Sequence, residues 1–375
     1  MLTGILIPLT MSLIFPVRMV NAQDEVHSAK SLSEAVTWLE KGAHRIIVAS
    51  RRTMNDGTSA FPPQVGIGYE AFWLRDYVYS LEGSVGSYSD IEIADACRLF
   101  VRSLRSDGAG VDCVKFDGTP IYKPGFGTMG KNPVADGSQF TVAVAWHTYQ
   151  KTKDAKLLQE VIEPLVKTMN AVPRNPATHL VRIKPGDEWD RCPYGFTDTI
   201  RKEGDELFCS LLYVQASRRL SDLLNVLGHK SDADKWKTES ELVTTGIREV
   251  FWDSTTGLFR AATVRCREHD LWGSAFAVYL GVADGEQSRT VATYFKENCK
   301  QIVQSGQIRH LPGGVYWEQG CQRDTYQNGG FWATPTGWFV YALNLPKMRL
   351  AIDSKLDVLR NTLCFQAKEH SNDRS

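Results

Sequence analysis

Three carboxylates crowd one indole in Asp187-Glu188-Trp189-Asp190-Arg191. An apolar neighbour such as Trp189 disfavours the charged form of a carboxyl group and lifts its proton affinity toward what a general acid needs. A second aromatic-flanked carboxylate, Glu318, closes Gly313-Gly314-Val315-Tyr316-Trp317-Glu318. Two such groups facing each other across a pocket, roughly 6.5–9.5 Å apart, leave room for a water and give inverting glycoside hydrolysis. A third segment, Tyr69 to Tyr77, sets Arg75 and Asp76 at an expected helix start among aromatics that include Trp73. An adjacent Arg-Asp pair donates and accepts hydrogen bonds at once, as neighbouring sugar hydroxyls require.

Other chemistries find less support. His147 and His310 lie in no H-E-x-x-H and no G-x-S-x-G context, so both are read as structural. Gly125-Phe126-Gly127-Thr128-Met129-Gly130 satisfies G-x-G-x-x-G, but Pro124 precedes it and Asn132-Pro133 follows, where a dinucleotide site needs a strand and then a helix. It is read as a flexible pocket loop. The eight cysteines are widely spaced, with no metal-binding pattern, and are expected to be individual thiols with room for one or two disulfides. No metal and no organic cofactor is implied. Lys plus Arg balance Asp plus Glu at 43 each, without the basic stripe that nucleic acid demands. Ten Trp and thirteen Tyr suit an uncharged, hydroxyl-rich ligand bound by stacking and hydrogen bonds.

The elements that must position these residues are helical. Apolar residues recur at helical spacing past the leader, with hardly any sustained alternation, so the expected fold is all-α. Helices are predicted over 33–47, 73–82, 91–104, 137–149, 155–172, 205–227, 231–252, 271–280, 287–304, 332–343 and 350–366, with Gly228 ending one of them in the left-handed conformation. Apolar-rich segments alternate with more polar ones, as two concentric rings require. Long Gly-, Pro- and aromatic-rich stretches (54–72, 106–135, 174–204 and 306–331) precede the expected inner helices, and loops of that length usually carry function. At the N-terminus, MLTGILIPLTMSLIF followed by Val20-Asn21-Ala22 reads as a signal peptide cleaved near Ala22, so residues 23–375 form one domain. The expected location is secreted or periplasmic, with a retained N-terminal anchor as the alternative. No later segment is long and apolar enough to cross a membrane.

Taken together, these motifs resemble the six-hairpin glycosidases, which include glucoamylases, neutral invertases, trehalases and the glucosidase part of glycogen debranching enzyme. Phe72-Trp73-Leu74-Arg75-Asp76 looks like the motif that grips the sugar in the cleaved subsite, and Ala135-Asp136-Gly137-Ser138-Gln139-Phe140 is similar to a segment carrying a substrate-contacting Asp. Glu188 to Asp190-Arg191, on through Tyr194-Gly195-Phe196 to Asp205-Glu206-Leu207-Phe208, resembles the invertase stretch whose Asp-Arg pair holds the general acid, which implies Asp190. Asp270 to Ser274 and Tyr326 to Trp332 look like openings of inner helices. The resemblance implies an (α/α)6 toroid. It places the base near the last hairpins, where this sequence offers Glu318 or Glu369 and where the last helix is expected to be missing.

The expected function is therefore an inverting glycosidase acting on an oligo- or polysaccharide. Asp190 would be the acid and Glu318 the base, with Trp73, Arg75, Asp76, Asp136, Trp189, Arg191, Trp272, Trp317 and Trp332 binding substrate. The alternatives are a carbohydrate-binding toroid without the base and, on a similar helical ring, a lyase or isomerase using His147 or His310.

Overall fold

Helical periodicity becomes helix throughout the computed structural model, which describes residues 32–64 and 70–344. The leader, Tyr69, the predicted helix over 350–366 and Glu369 lie outside the described residues. Ten helices matter to the site: α1 (Leu32–Ser50), α2 (Leu74–Ser84), α3 (Asp90–Arg102), α4 (Gly137–Thr152), α5 (Ala155–Asn170), α6 (Leu207–Val226), α7 (Lys230–Val250), α8 (Leu271–Tyr279), α9 (Gly285–Ile302) and α10 (Thr336–Leu343).

Sequence chemistry sets their ends. Ser89 and Glu92 close a capping box at the start of α3, Asp284 and Gln287 do the same for α9, and Asp154 caps α5 by accepting from Lys156 and Leu157 amides. Gly228, at φ 79°, ends α6 as expected.

Burial separates two layers. Most residues of α4 and α6 and nearly all of α8 are buried, whereas α5, α7 and α9 bury one face. The even-numbered helices form the inner layer, with α2 on α4, α4 on α6, α6 on α8 and α8 on α10; α5 packs against α4 and α6, and α9 against α8 and α10. This is the architecture of an (α/α)6 toroid. The axis is filled rather than open: the Trp338 ring of α10 lies 5.9, 5.8 and 4.6 Å from the rings of Tyr79, Phe208 and Phe276, on α2, α6 and α8.

Three expectations need correction. The connections carry antiparallel ladders of two or three residues, such as Ala71–Trp73 on Cys113–Lys115 and Arg182–Ile183 on Gly204–Asp205, too short to show as alternation in sequence. α6 consequently begins at Leu207, since Asp205 is a strand residue. α10 begins at Thr336 because Phe331–Trp332 pair with Ile308–Arg309 and Pro335 occupies the N-cap. The seven cysteines among the described residues are unpaired thiols.

The inner helices start at one mouth, and close backbone contact keeps their starts in register. A Cβ on Gly110 would lie 2.3 Å from the Gly137 carbonyl carbon and 2.4 Å from the Ser138 nitrogen, so only glycine lets the 110–112 segment lie against the start of α4. Gly83, near the exposed end of α2, has nothing within 4 Å of such a Cβ. Gly110→Ala is expected to lower unfolding free energy by about 2–3 kcal/mol, whereas Gly83→Ala should raise it by up to about 1 kcal/mol. Urea denaturation of the two variants checks both signs.

Candidate active site

The residue around which the mouth is built is Arg75, in the first turn of α2 and 3% exposed. Its Nε and Nη2 donate to the two carboxylate oxygens of Asp136 at 2.5 and 2.8 Å, and its Nη1 donates to Asp112 at 2.8 Å. Asp136, just ahead of α4, also accepts the Gly195 amide at 2.9 Å. A Cβ on Gly195 would lie 2.0 Å from the guanidinium carbon, so the 194–198 turn can close over the cluster only with glycine there. Burial works against the Arg75 charge, but Asp136 and Asp112 together push its proton affinity up.

One cation does not balance the acids that surround it. Burial lifts the Asp76 carboxyl to about 6 against the pull of Arg75, with Asp112 adding repulsion. Burial also raises Asp112 and Asp198, opposed by Arg75 at Asp112 and by a hydrogen bond from Gln327 at Asp198. Gln327, itself fully buried, donates from Nε2 to Asp198 Oδ1 at 2.9 Å and to the Phe196 carbonyl at 2.6 Å, while its Oε1 accepts from the Thr199 amide and hydroxyl. The mouth thus holds several carboxyl groups whose proton affinity is raised by burial, a common feature of acid-base sites.

Asp190 sits in a separate cradle. Asn132 Nδ2 donates to its Oδ1 at 2.7 Å, and Arg191 Nε and the Lys184 amide donate to its Oδ2 at 3.2 and 3.4 Å. The glycine-rich loop, expected to be flexible, makes that cradle: the Lys131 and Asn132 amides donate to the Asp190 carbonyl, and Lys131 pairs with Glu188. Trp73 meets the same loop further back, with its ring 5.4 Å from that of Phe126. Trp189 is half-buried, its Nε1 sheltered and without a hydrogen-bond partner.

Glu318 is exposed, with Oε2 accepting the Cys266 amide at 3.0 Å. A run of polar contacts joins its loop to that of Asp190. Arg201 donates to the Gly186 and Asp187 carbonyls and to Glu203, Glu203 pairs with Arg265, and Arg265 donates to Gln319.

Two expected binding aromatics belong to the interior. Trp272 is fully buried, stacked 4.0 Å from the His310 ring, with its Nε1 donating to the Ile308 carbonyl. Trp317, 4% exposed, donates to the Gln327 carbonyl and covers the Lys202 ammonium, so it supports the mouth from beneath. Trp332 is half-buried and donates to the Tyr326 carbonyl. Arg75 and Asp136, expected to grip a sugar directly, are engaged with each other.

Beneath Trp317 lies a second buried cluster. The Lys202 ammonium is within 3.3 Å of Glu206 and 3.4 Å of Asp270, and His310 lies 3.1 Å from Asp270. Glu206 and Asp270 also cap α6 and α8 by accepting the Cys209 and Gly273 amides. Burial pulls His310 below its ordinary value, which makes it a neutral, structural ring at pH 7. His147, buried within 3.9 Å of Glu82, is structural as well. Among the described residues no group of three or more His, Cys, Asp or Glu could hold a metal ion. No helix among them is long and apolar enough to cross a membrane. A surface hollow of about 650 Å³ opens between α5 and the α6–α7 turn, lined by Glu163, Lys167, Leu224 and His229 among others, and none of the expected site residues borders it.

Sequence reasoning missed Asp198, Glu268 and the Lys202 cluster. The usable signal for Asp198 was its place beside Tyr194-Gly195-Phe196; its raised proton affinity comes from burial, opposed by a hydrogen bond from Gln327, and both belong to the tertiary fold.

The raised Asp76 carboxyl has a thermodynamic consequence. Between 3.8 and about 6 the folded chain keeps a proton that the unfolded chain has released, so stability falls as pH rises through that window. Asp76→Asn is expected to flatten this dependence and to stabilise the protein at pH 7 by at most about 3 kcal/mol. Denaturation midpoints at a series of pH values compare the two proteins.

The family model described as the bacterial alpha-L-rhamnosidase six-hairpin glycosidase domain matches residues 115–309, just over half of the chain. No curated protein matches the sequence. Among solved structures, the rhamnosidase from Klebsiella oxytoca with rhamnose bound superposes at a TM-score of 0.54 and 15% identity, covering 72% of this chain and 49% of that one. The GH78 family rhamnosidase of Bacillus sp. GL1 gives 0.53 and 16%, covering 69% and 25%. The GH63 mannosylglycerate hydrolase from Thermus thermophilus, in complex with glucose, gives 0.58 and 15%, covering 87% and 89%. This chain therefore spans about half the length of the first enzyme and a quarter of the second. At these identities the likeness is one of fold, whereas the matched family model identifies the lineage: the chain belongs to the bacterial alpha-L-rhamnosidase six-hairpin glycosidase domain family.

Proposed function

We propose that this protein is a glycoside hydrolase working at the carboxylate-rich mouth of its toroid, with inversion at the anomeric carbon. The observation that carries the reading is the excess of buried carboxyls around Arg75, where Asp76, Asp112 and Asp198 are all pushed toward holding protons. Membership of a glycosidase-domain family supports it, and L-rhamnosides are the first substrate class to try because structurally similar proteins are rhamnosidases.

In this reading Asp190 gives its proton to the glycosidic oxygen as the bond to the anomeric carbon breaks. Glu318 takes a proton from a water whose oxygen attacks that carbon from the opposite face. Trp189, next to Asp190 in the chain, offers ring surface beside it, and Arg191 orients its carboxylate. Arg75 and Asp136 act by shaping the mouth and setting its field. Secretion through the N-terminal leader belongs to the same proposal.

A second assignment of the acid has its own support. Both Asp190 oxygens accept hydrogen bonds, whereas Asp198 is held at Oδ1 and carries the raised proton affinity expected of a donor. The test compares wild type, Asp190→Asn and Asp198→Asn on natural oligosaccharides and on a panel of 4-nitrophenyl glycosides that includes the α-L-rhamnoside. A variant lacking the acid should lose about 10²–10⁴-fold on unactivated glycosides and much less on nitrophenyl substrates, whose leaving group needs little protonation. The variant with that asymmetry identifies the donor. No release from any substrate by the wild type would overturn hydrolysis and favour a carbohydrate-binding toroid.

A further inference from the structure

Glu268, two residues before the α8 cap Asp270, meets Glu318 in a reciprocal clamp. The Glu318 amide donates to Glu268 Oε1 at 2.5 Å, and the Cys266 amide returns a bond to Glu318 Oε2 at 3.0 Å. Cys266 holds a left-handed φ of 55°, and its thiol donates to the Gln319 carbonyl at 3.4 Å, so backbone and side chain both fix the 266–268 segment against 318–319. The other Glu268 oxygen, Oε2, is sheltered from solvent and has no hydrogen-bond partner. A bare anionic oxygen in such a place is costly, and a protonated one much less so.

The surroundings act in the same direction. Burial pushes the Glu268 carboxyl up and the Glu318 charge adds to it, while hydrogen bonds from its own amide and from the Glu318 amide, and the Lys202 charge, pull the other way without reversing the shift. Lys202 is shared with Glu206 and Asp270. Arg265 feels the Glu318 charge but pairs with Glu203, and the Cys266 thiol is itself pushed up to about 12 and stays neutral. No cation is therefore dedicated to Glu268 by any ion pair among the described residues.

We infer that Glu268 is a positioning residue: its carboxyl, clamped on the Glu318 amide with its other oxygen sheltered and unpartnered, keeps a proton and so sets no second negative charge beside Glu318. The Glu268 carboxyl holds the Glu318 backbone in place, the Cys266 amide holds Oε2, and Oε1 is left for a water. The functional consequence rests on the reading of Glu318 as base; the protonation of the pair does not.

The experiment separates the two. The full chain, labelled with 13C at its glutamate carboxyls, is titrated by NMR as wild type, Glu268→Gln and Glu318→Gln. The resonance missing from Glu268→Gln should titrate above the ordinary glutamate value of about 4.3, and its midpoint should fall by about half a unit or more in Glu318→Gln, where the like charge is gone. An ordinary midpoint, or one unmoved in Glu318→Gln, overturns the inference, and neither observation needs a substrate.

On the most reactive nitrophenyl glycoside, Glu268→Ala should lower kcat about tenfold or more with KM little changed. Glu268→Gln, which retains an acceptor oxygen for the Glu318 amide, should recover most of that rate with an altered pH profile. Coupled titration with unchanged rates in both variants would overturn the positioning role while leaving hydrolysis intact.

Discussion

Everything at the mouth follows from removing the Arg75 guanidinium from water. A buried cation of this kind is tolerated only when its donors are matched, and its planar fork fits the two oxygens of Asp136 while its remaining nitrogen reaches Asp112. Those acids belong to different parts of the chain, so satisfying one side chain ties the start of α2 to the 110–112 segment and to the start of α4. The Gly195 amide adds the turn that follows Asp190. Glycine at 110, 137 and 195 is the geometric condition for that convergence, since a Cβ at each would strike backbone or the guanidinium itself.

The same logic operates one hairpin pair further on. Lys202 lies between the caps of α6 and α8, so a single ammonium fixes the spacing of two helix starts. Acidic residues recur at the beginnings of inner helices because they accept orphan amides and face the positive end of the helix dipole. A ring of parallel inner helices therefore accumulates carboxylates at one mouth for reasons that precede any chemistry. Asp76 and Asp198 differ from Glu206 and Asp270 in capping no helix amide among the described residues; burial raises the proton affinity of Asp76, Asp198 and Glu206 alike, and only Asp270, facing both Lys202 and His310, is held low.

Much of this architecture was legible in the residues. Core-facing periodicity located the helices, and Gly228 marked the end of α6, because those signals are local. Side-chain roles were harder to read. Trp272 and Trp317 stand close to carboxylates in sequence much as Trp73 does, yet the first stacks on His310 and the second covers Lys202, partners that are distant in sequence and that no local pattern announces. Glu268 was overlooked for a related reason. Its significance comes from the 318 loop, and neither segment alone carries a pattern. The glycine-rich loop was read by composition as a flexible pocket loop; what composition did not show is that the Lys131 and Asn132 amides just past it hold the Asp190 backbone.

The contrast between held and lifted carboxyls bears on how a site of this kind moves protons. An acid that must protonate a leaving oxygen needs its proton before substrate arrives, which favours groups whose charged form is poorly solvated. A base that accepts a proton from water needs to be ionised and fixed, which favours a carboxylate held by amides, as Glu318 is by Cys266. Burial beside Arg75 lifts Asp76, Asp112 and Asp198 in the sense of the first condition, which is what sets Asp198 against Asp190 as the proposed acid, and the crossed clamp of 266–268 on 318 fixes a carboxylate in the sense of the second. The two conditions arise from different hubs, one at the α2–α4 side and one beside α8.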